Sequence, residues 1–373
     1  MVVAVHSPTM TADALPLADL EAYLADELGA RVTDTEVLDG ALNTMVAVST
    51  ESTEHAYVVR QASDMRDSGL FIDLDREYRV LAALTDTDVP APAPVVYCED
   101  ESVLGDPFAV TTYREGEPVS VGSSLPERFQ TPAGRRAVGE ALVDTLADVH
   151  SVPTDPFEGV CERYEPLEQV EQFADRLDRA TDASGRDVPE LRRVVDWLRE
   201  HAPPEHETRL THGDFNSGNV CFADGTPPEI TGVLDWETAA LGEPRTELGY
   251  LLFYWRDDGD PTPGLDAIRA RYGDDHPDAV AEVAAAAEHG FYRYANRPGS
   301  PSRRELIERY EARTGLAFDH GRFYRAHAAL GLAAVWEDSH ARRVAAGEPT
   351  DWEPLLDYTA AVTASIVDGE FEA

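Results

Sequence analysis

The amino-acid sequence predicts an α+β protein in two parts, a small antiparallel sheet with a packed helix followed by a larger, mostly helical region. Short strand-like runs and two helical stretches fill the chain to about residue 115, and helical periodicity dominates from residue 116 onward. The chain has 373 residues, enough for two or three compact units of roughly 150 residues each. We therefore expect residues 1–115 and residues 116–373 to form two lobes.

The first part of the chain carries the strand patterns. A helix is predicted over 17–28, where leucines recur at helical spacing and Gly29 ends the pattern. A second apolar stripe predicts a helix over 70–84. The predicted strands, rich in β-branched and aromatic residues, are 31–38, 44–50, 55–62, 95–98 and 108–113. Several strands with one helix among them favour an antiparallel sheet.

The second part of the chain is mostly helical. A short strand–turn–strand block over 209–236 interrupts the helices. The predicted helices are 139–152, 166–183, 188–201, 279–295 and 322–346.

The charge balance excludes several classes of partner. The chain has 71 acidic and 31 basic residues, a net charge of −40, and every basic residue is arginine. Nucleic acids and anionic membrane surfaces need a basic footprint, so neither is expected as a partner. The absence of lysine excludes Schiff-base and Walker A chemistry. The acids are spread along the whole chain, which favours a surface adapted to a salt-filled cytoplasm; the alternative is a cationic partner.

Cysteine and histidine spacing gives no metal or disulfide pattern. The three cysteines, Cys98, Cys161 and Cys221, lie far apart, and no pair of histidines has the spacing of a zinc site. No positively charged leader precedes an apolar segment, and the longest apolar run is too short to span a bilayer. A soluble, cytoplasmic protein is therefore expected.

Residues 211–220 contain the candidate catalytic residues. They read THGDFNSGNV, and sixteen residues after Asn219 the chain reads Asp235-Trp236-Glu237 at the end of an apolar strand. Asn219 and Asp235 offer oxygen ligands of the kind that Mg²⁺ prefers, which leaves Asp214 to accept a proton from a hydroxyl. Phosphoryl transfer requires this division of labour. The alternative is an ordinary polar turn, for which Asp, Asn, Ser and Gly are typical.

These two motifs resemble those of the aminoglycoside phosphotransferase and choline kinase family, relatives of the protein kinases. The catalytic loop of that family reads H-G-D-x-x-x-x-N, and its metal motif reads D-x-D or D-x-E. The resemblance implies a bilobal protein-kinase-like fold with ATP, or alternatively GTP, between the lobes. It also implies that Asp214 is the catalytic base, that Asn219 and Asp235 are Mg²⁺ ligands, and that His212 braces the catalytic loop.

The resemblance further implies a set of nucleotide-binding residues. Gly40 and Asn43 fall where the family folds a hairpin loop over the phosphates, and a bland hairpin turn is the alternative. Arg60 stands where the family has its phosphate-anchoring lysine, with Glu77 as its ion-pair partner or as a solvated helix charge. The backbone of Thr112 and Arg114 would contact the base.

The phosphate acceptor is implied only as a hydroxyl of a small molecule, such as an aminoglycoside, choline or another amino alcohol. Candidate acceptor residues are Glu237, Tyr250, Tyr254 and Asp257, because an aromatic and acidic wall favours an amine. The two tyrosines lie one helical turn apart, so core packing is the alternative. His150 is expected to be a buried brace, and Glu247 is expected to steady the catalytic loop from below.

Two other functions stay open from the sequence. One is an inactive kinase-like nucleotide-binding or scaffold protein, which the arginine at position 60 would favour. The other is a metal hydrolase built on His212, which lacks the convergent histidines that it needs. The sequence predicts no oligomeric state.

Overall fold

A five-stranded antiparallel sheet forms the first part of the fold. The computed structural model describes residues 15–38, 43–62 and 71–371. The sheet has the order β1-β2-β3-β5-β4. Its strands are β1 Val32–Leu38, β2 Asn43–Thr50, β3 Tyr57–Ala62, β4 Pro94–Cys98 and β5 Phe108–Thr112. The predicted antiparallel sheet is therefore confirmed, and every neighbouring pair of its strands runs antiparallel.

One face of this sheet is covered by a helix, α1 Leu17–Leu28, which the leucine spacing predicted. Leu20 and Leu24 are completely buried and pack with Val48, Phe108 and neighbouring apolar residues of the sheet. Gly29 ends the helix in the left-handed conformation. A short helix, α3 Glu101–Leu104, lies beside α1 and was not predicted.

The helix α2 Leu74–Leu84 belongs to the larger hydrophobic cluster and not to that of the sheet. Its buried residues Val80, Leu81 and Leu84 pack with the core of the helical region, while α2 also contacts β4 and β5. This helix therefore bridges the two parts of the fold, and the lobe boundary at residue 115 stays a prediction.

In the described part of the chain, nine further α-helices follow α3, and the longest packs against several of the others. They are α4 Pro132–His150, α5 Pro166–Ser184, α6 Pro189–His201, α7 Pro244–Phe253, α8 Leu265–Tyr272, α9 Pro277–His289, α10 Arg303–Thr314, α11 Gly321–Ala345 and α12 Glu353–Asp368. Helix α11 packs against α5, α7 and α12, so it is buried nearly all round. A Cβ on its Gly331 would lie 2.8 Å from the Phe173 ring, which explains the glycine at this contact.

The predicted helix over 279–295 is too long. Helix α9 ends at His289, and Gly290 has φ +81°, a conformation that breaks a helix. A Cβ at Gly290 would also lie 2.8 Å from the Cβ of Arg256. The chain then continues without helix through partly buried Phe291 and buried Tyr292 and Tyr294.

Five further short strands, among the residues that the structure describes, form two small sheets. They are β6 Glu117–Pro118, β7 Arg209–Thr211, β8 Val220–Phe222, β9 Ile230–Val233 and β10 Ala240–Gly242. β6, β8 and β9 form one sheet, and β7 pairs with β10 in the other. The loop of residues 211–220 joins β7 to β8, and Asp235 follows β9. In the described part of the chain, no helix is long and apolar enough to cross a bilayer.

Candidate active site

Tight packing against the Trp236–Thr238 turn fixes the loop between β7 and β8. Gly213 has φ +87°, and a Cβ there would lie 2.4 Å from the Thr238 carbonyl oxygen. The Thr238 hydroxyl also donates to the His212 carbonyl oxygen at 2.8 Å. Only glycine can occupy position 213 without moving one of these segments.

A buried glutamate on α7 holds the loop from below. Glu247 accepts the backbone amides of His212 at 3.0 Å and Gly213 at 2.5 Å, and His150 Nε2 lies 2.9 Å from its Oε2. Burial alone would raise the pKa of Glu247, but the hydrogen bonds and the attraction of His150 and His212 hold it below its usual value. His150 also bonds to the Tyr310 hydroxyl at 2.7 Å, so both residues brace the loop as the resemblance implied.

His212 is fully buried and bonded at both ring nitrogens. Its Nε2 lies 2.6 Å from the Leu234 carbonyl oxygen, and its Nδ1 accepts the Asp214 amide at 3.3 Å. The ring therefore ties the loop to the residue that precedes Asp235. This geometry fits the bracing role implied for His212 and leaves its ring no exposed atom for reaction with a substrate.

The Asp214 carboxylate lies at the tip of the loop, partly exposed, among three donors. Asn219 Nδ2 donates to Oδ2 at 2.9 Å, Asn216 Nδ2 donates to Oδ1 at 3.0 Å, and the Tyr250 hydroxyl donates to Oδ1. Burial raises the pKa of Asp214, although the hydrogen bonds from Tyr250 and Asn219 oppose that rise. The carboxylate is thus oriented and has a raised proton affinity.

Asn219 and Asp235 come together at the ends of two paired strands. The Leu234 amide donates to the Asn219 carbonyl oxygen at 2.7 Å, which sets Asp235 beside Asn219. Because the Asn219 amide group donates to Asp214, its side-chain oxygen points away from the base. Asp235 has φ +60° and keeps its side chain 43% exposed. The two side chains fit an oxygen-liganded cation that substrate phosphates would complete. Within the described residues, no group of three His, Cys, Asp or Glu side chains could hold a metal alone.

Arg60 on β3 lies opposite this pair and meets three carboxylates. Its guanidinium is 2.6 Å from Glu77, 3.1 Å from Asp235 and 3.3 Å from Glu237. Burial would lower the pKa of Arg60, but the three carboxylates raise it above its usual value. The predicted Arg60–Glu77 ion pair is present, and Glu77 is buried rather than solvated.

Glu237 contacts Arg60 and Asn43 and does not join the predicted acceptor wall. Its Oε2 accepts from Asn43 Nδ2 at 3.0 Å and from Arg60, and its carbonyl oxygen accepts the Ile72 amide at 2.8 Å. The 3₁₀ turn Trp236–Thr238 directs both Asp235 and Glu237 toward Arg60. Asn43 is therefore part of the site, while Gly40 lies outside the described residues.

The segment between the two parts of the fold begins at Thr112, the last residue of β5. The Thr112 hydroxyl oxygen accepts the Ala93 amide at 2.9 Å, and the Arg114 guanidinium donates to the Ala91 carbonyl oxygen. Within the described residues, the Arg114 amide has no hydrogen-bond partner. Gly116 has φ +129°, and a Cβ there would lie 2.8 Å from the Phe222 carbonyl oxygen. Thr112 and Arg114, whose backbone is predicted to contact the base, thus lie where the chain leaves the large sheet.

Two of the four acceptor candidates reach the loop. Tyr250 contacts Asp214, and the Tyr254 hydroxyl donates to the Tyr250 hydroxyl at 2.7 Å, although Tyr254 is also a core residue at 4% exposure. Asp257 does not join them. It accepts the Arg303 amide at 3.1 Å and lies 3.5 Å from the Arg303 guanidinium, so it anchors the start of α10.

Sequence reasoning missed two groups that shape the loop. Asn216 holds Asp214 and accepts the Gly218 amide at 2.8 Å, and its position two residues after an Asp is the signal of a local side-chain turn. Tyr292 accepts the Ser217 amide at 2.9 Å from a segment far along the chain, which no local pattern announces.

Comparison with known proteins places the chain in a family. A sequence model described as the phosphotransferase enzyme family matches residues 33–283. Acyl-CoA dehydrogenase family member 11 of Homo sapiens is 31% identical over 195 residues, covering 49% of this chain and 23% of that protein. Family member 10 of Mus musculus is 34% identical over 182 residues, covering 48% of this chain and 16% of that protein. The chain thus spans a quarter or less of the length of these two relatives.

Solved structures share the fold over nearly the whole chain. A protein of Ralstonia eutropha JMP134 assigned as an aminoglycoside phosphotransferase has a TM-score of 0.70 and 25% identity, over 95% of this chain and 98% of that one. A GDP and kanamycin complex of APH(2″)-IIIa has a TM-score of 0.58 at 13% identity, over 94% and 98% of the two chains. Spectinomycin phosphotransferase with ADP and spectinomycin has a TM-score of 0.55 at 11% identity, over 95% and 98%.

Proposed function

Because the chain belongs to the phosphotransferase enzyme family, we propose that it transfers the γ-phosphate of ATP, as a magnesium complex, to a hydroxyl of a small molecule. The observation that carries this proposal is the meeting of Asp214, Asn219 and Asp235, with the Arg60–Glu77 pair in contact with Asp235. In this assignment the predicted two lobes, with a boundary near residue 115, enclose the nucleotide.

Each residue has a defined task in the transfer. Asp214 accepts the proton of the acceptor hydroxyl while the hydroxyl oxygen forms a bond to the γ-phosphorus. The bond between the γ-phosphorus and the bridging oxygen breaks, and the nucleoside diphosphate leaves with that oxygen. Asn219 orients Asp214 through its amide hydrogens and offers its carbonyl oxygen to the metal together with Asp235. Bound Mg²⁺ neutralises charge on the phosphates. Arg60 faces the phosphates while Glu77 and Glu237 hold its guanidinium.

The nucleotide base is proposed to bind at Thr112 and Arg114. The Arg114 amide is unpaired among the described residues and is a donor for the edge of a purine. The similar structures carry GDP or ADP, so both ATP and GTP should be tried as donors.

The phosphotransfer assay uses purified protein with a panel of hydroxyl acceptors. The panel includes kanamycin and spectinomycin, which the similar structures bind, and amino alcohols. It also includes a hydroxyacyl-CoA, because the curated relatives carry acyl-CoA dehydrogenase names. Asp214→Asn should reduce transfer by at least about 100-fold, the usual effect of losing a general base.

Asp224→Asn is the matched control. Asp224 follows β8 and its side chain is 97% exposed, so we expect the wild-type rate. Transfer that survives in Asp214→Asn would contradict the assignment of the base. Nucleotide binding without transfer to any acceptor, in protein that keeps its fold, would favour the inactive nucleotide-binding alternative.

We also propose that the protein works in a salt-rich cytoplasm. The chain has 71 acidic residues and 31 arginines, a net charge of −40, so its excess carboxylates repel one another at low ionic strength. Molar salt shortens the screening length to about 3 Å and removes most of that repulsion. Assays should therefore be made in concentrated KCl.

A further inference from the structure

A tyrosine on α7 occupies one side of the Asp214 carboxylate. The Tyr250 hydroxyl donates to Asp214 Oδ1 and itself accepts from the Tyr254 hydroxyl at 2.7 Å. Neither hydroxyl is needed to bind nucleotide, phosphate or metal in the proposed function. A phenol directed at the proposed base therefore needs its own explanation.

The two oxygens of the carboxylate are unequally occupied. A carboxylate oxygen has two lone pairs. Oδ1 accepts from Tyr250 and from Asn216 Nδ2, so both of its lone pairs are used. Within the described residues, Oδ2 accepts only from Asn219 Nδ2, at 2.9 Å. The lone pair that remains open is thus on the oxygen nearer to the proposed metal ligands.

We propose that Tyr250 is a positioning residue that saturates Oδ1 of Asp214 and so directs the acceptor hydroxyl to Oδ2, beside Asn219. This inference rests on the proposed function, because it assumes that Asp214 takes the hydroxyl proton. A hydroxyl that docked on Oδ1 would lie on the Tyr250 side of the carboxylate, away from Asn219. Filling Oδ1 removes this unproductive mode.

The phenol is held rigidly enough for this role. Tyr254 is 4% exposed, and its ring stacks on Tyr292 with centroids 5.2 Å apart. Tyr292 in turn accepts the Ser217 amide at 2.9 Å, so the aromatic stack is joined to the catalytic loop itself. Tyr250 meets Tyr254 edge-on at 5.1 Å and keeps part of its surface exposed, which places it at the margin of the site.

The test removes one oxygen atom. Tyr250→Phe should lower kcat for Mg·ATP hydrolysis, with water as the acceptor, by about 10- to 100-fold, the effect of losing one hydrogen bond to a charged group. KM for ATP should stay within about threefold of wild type, because Tyr250 does not face the phosphates. The matched control is Tyr272→Phe, which removes a hydroxyl that donates to a carboxylate elsewhere in the fold, that of Asp357, at 2.7 Å. We expect it to change kcat by less than about threefold.

A double-mutant cycle separates positioning from a general structural effect. If Tyr250 acts through Asp214, Tyr250→Phe should cause no further loss of kcat in the Asp214→Asn background. A crystal structure of Tyr250→Phe should show the Asp214 carboxylate rotated or its Oδ1 bound to water.

The outcomes distinguish this inference from the proposed function. Wild-type kcat in Tyr250→Phe, with turnover that still depends on Asp214, would overturn the positioning role and leave the proposed function standing. A further loss of kcat when Tyr250→Phe is added to Asp214→Asn would also overturn the positioning role. Wild-type protein that binds Mg·ATP but shows no Asp214-dependent turnover would overturn both.

Discussion

Glu247, which holds the catalytic loop, gives a prediction for the free energy of unfolding whose magnitude follows from its contacts. Glu247 is 4% exposed and accepts two backbone amides, those of His212 and Gly213, as well as His150. Glu247→Gln keeps the shape of the side chain but replaces one acceptor oxygen with an NH₂ group. At least one backbone donor then faces another donor with no water to replace its partner.

The expected cost follows from those lost bonds. Leaving a buried donor without its partner costs about 1–3 kcal/mol, and the remaining bonds lose the strength that a charged acceptor gives them. We therefore expect Glu247→Gln to lower the free energy of unfolding by about 2–4 kcal/mol. Nucleotide turnover should fall as well, because the displaced amides belong to the residues immediately before Asp214.

A second buried glutamate, the N-cap residue of the same helix, provides the control. Glu243 is completely buried and accepts the Glu207 amide at 2.8 Å and the Arg245 amide at 3.1 Å, but neither amide belongs to the catalytic loop. Glu243→Gln should cost a similar free energy of unfolding, measured by urea denaturation in concentrated KCl, with a much smaller loss of turnover. Equal losses of turnover in the two variants, or a change below about 1 kcal/mol for Glu247→Gln, would refute the reasoning.

The effect of Glu247→Gln on the unfolding free energy should depend on pH in one direction. The folded state holds the pKa of Glu247 below its usual value of about 4.3, so the carboxylate contributes stability above that pH and loses it as the pH falls. The difference in unfolding free energy between wild type and Glu247→Gln should therefore narrow below about pH 4.3.

Three further predictions concern the arginine cluster, the loop glycine and the surface charge. Arg60→Ala should destabilise the fold by about 3–5 kcal/mol, because it removes the guanidinium that pairs with the buried carboxylates of Glu77 and Glu237. Arg60→Lys should keep most of the stability and nucleotide binding, and equal unfolding free energies for the two variants would contradict the ion-pair account. Gly213→Ala should lower kcat strongly and the free energy of unfolding only modestly, because its Cβ would lie 2.4 Å from the Thr238 carbonyl oxygen and displace the loop. An unchanged kcat would contradict the packing argument. The wild-type melting temperature should rise between 0.1 and 2 M KCl, since the Debye length falls from about 10 Å to below 3 Å; a flat or falling curve would count against the high-salt interpretation.

Periodicity predicted the large sheet and several of the helices, but it missed α3 and began α4 at residue 139 instead of Pro132. Helix α1, the five strands of the large sheet and helix α11 lie within about two residues of their predicted limits, because apolar residues recur along most of them at helix or strand spacing. The excess length of the predicted 279–295 helix arose because an alanine-rich pattern does not show the contact between Gly290 and Arg256 that ends it. A local sequence pattern predicts the limits of a helix or strand where burial is periodic. It fails where a contact with a residue far along the chain ends the element.

The candidate site divides in the same way. Asp214, Asn219 and Asp235 were predictable because loop spacing and a strand end fix them locally. The partners of Glu237 and Asp257 were not, since each depends on a residue far along the chain, Asn43 and Arg303 respectively. Nothing in the sequence near Asp257 indicates that its acceptor atoms are used by a helix forty-six residues later.

The most direct test of the central claim is thermal unfolding in concentrated KCl with ATP and Mg²⁺, added separately and together, for wild type and Asp235→Ala. We predict stabilisation of the wild type that needs both ligands, because binding to the native state raises stability by mass action, and no such shift in Asp235→Ala. An equal shift in both proteins, or no shift in the wild type, would contradict the claim that Asn219, Asp235 and Arg60 form a site for a magnesium nucleotide.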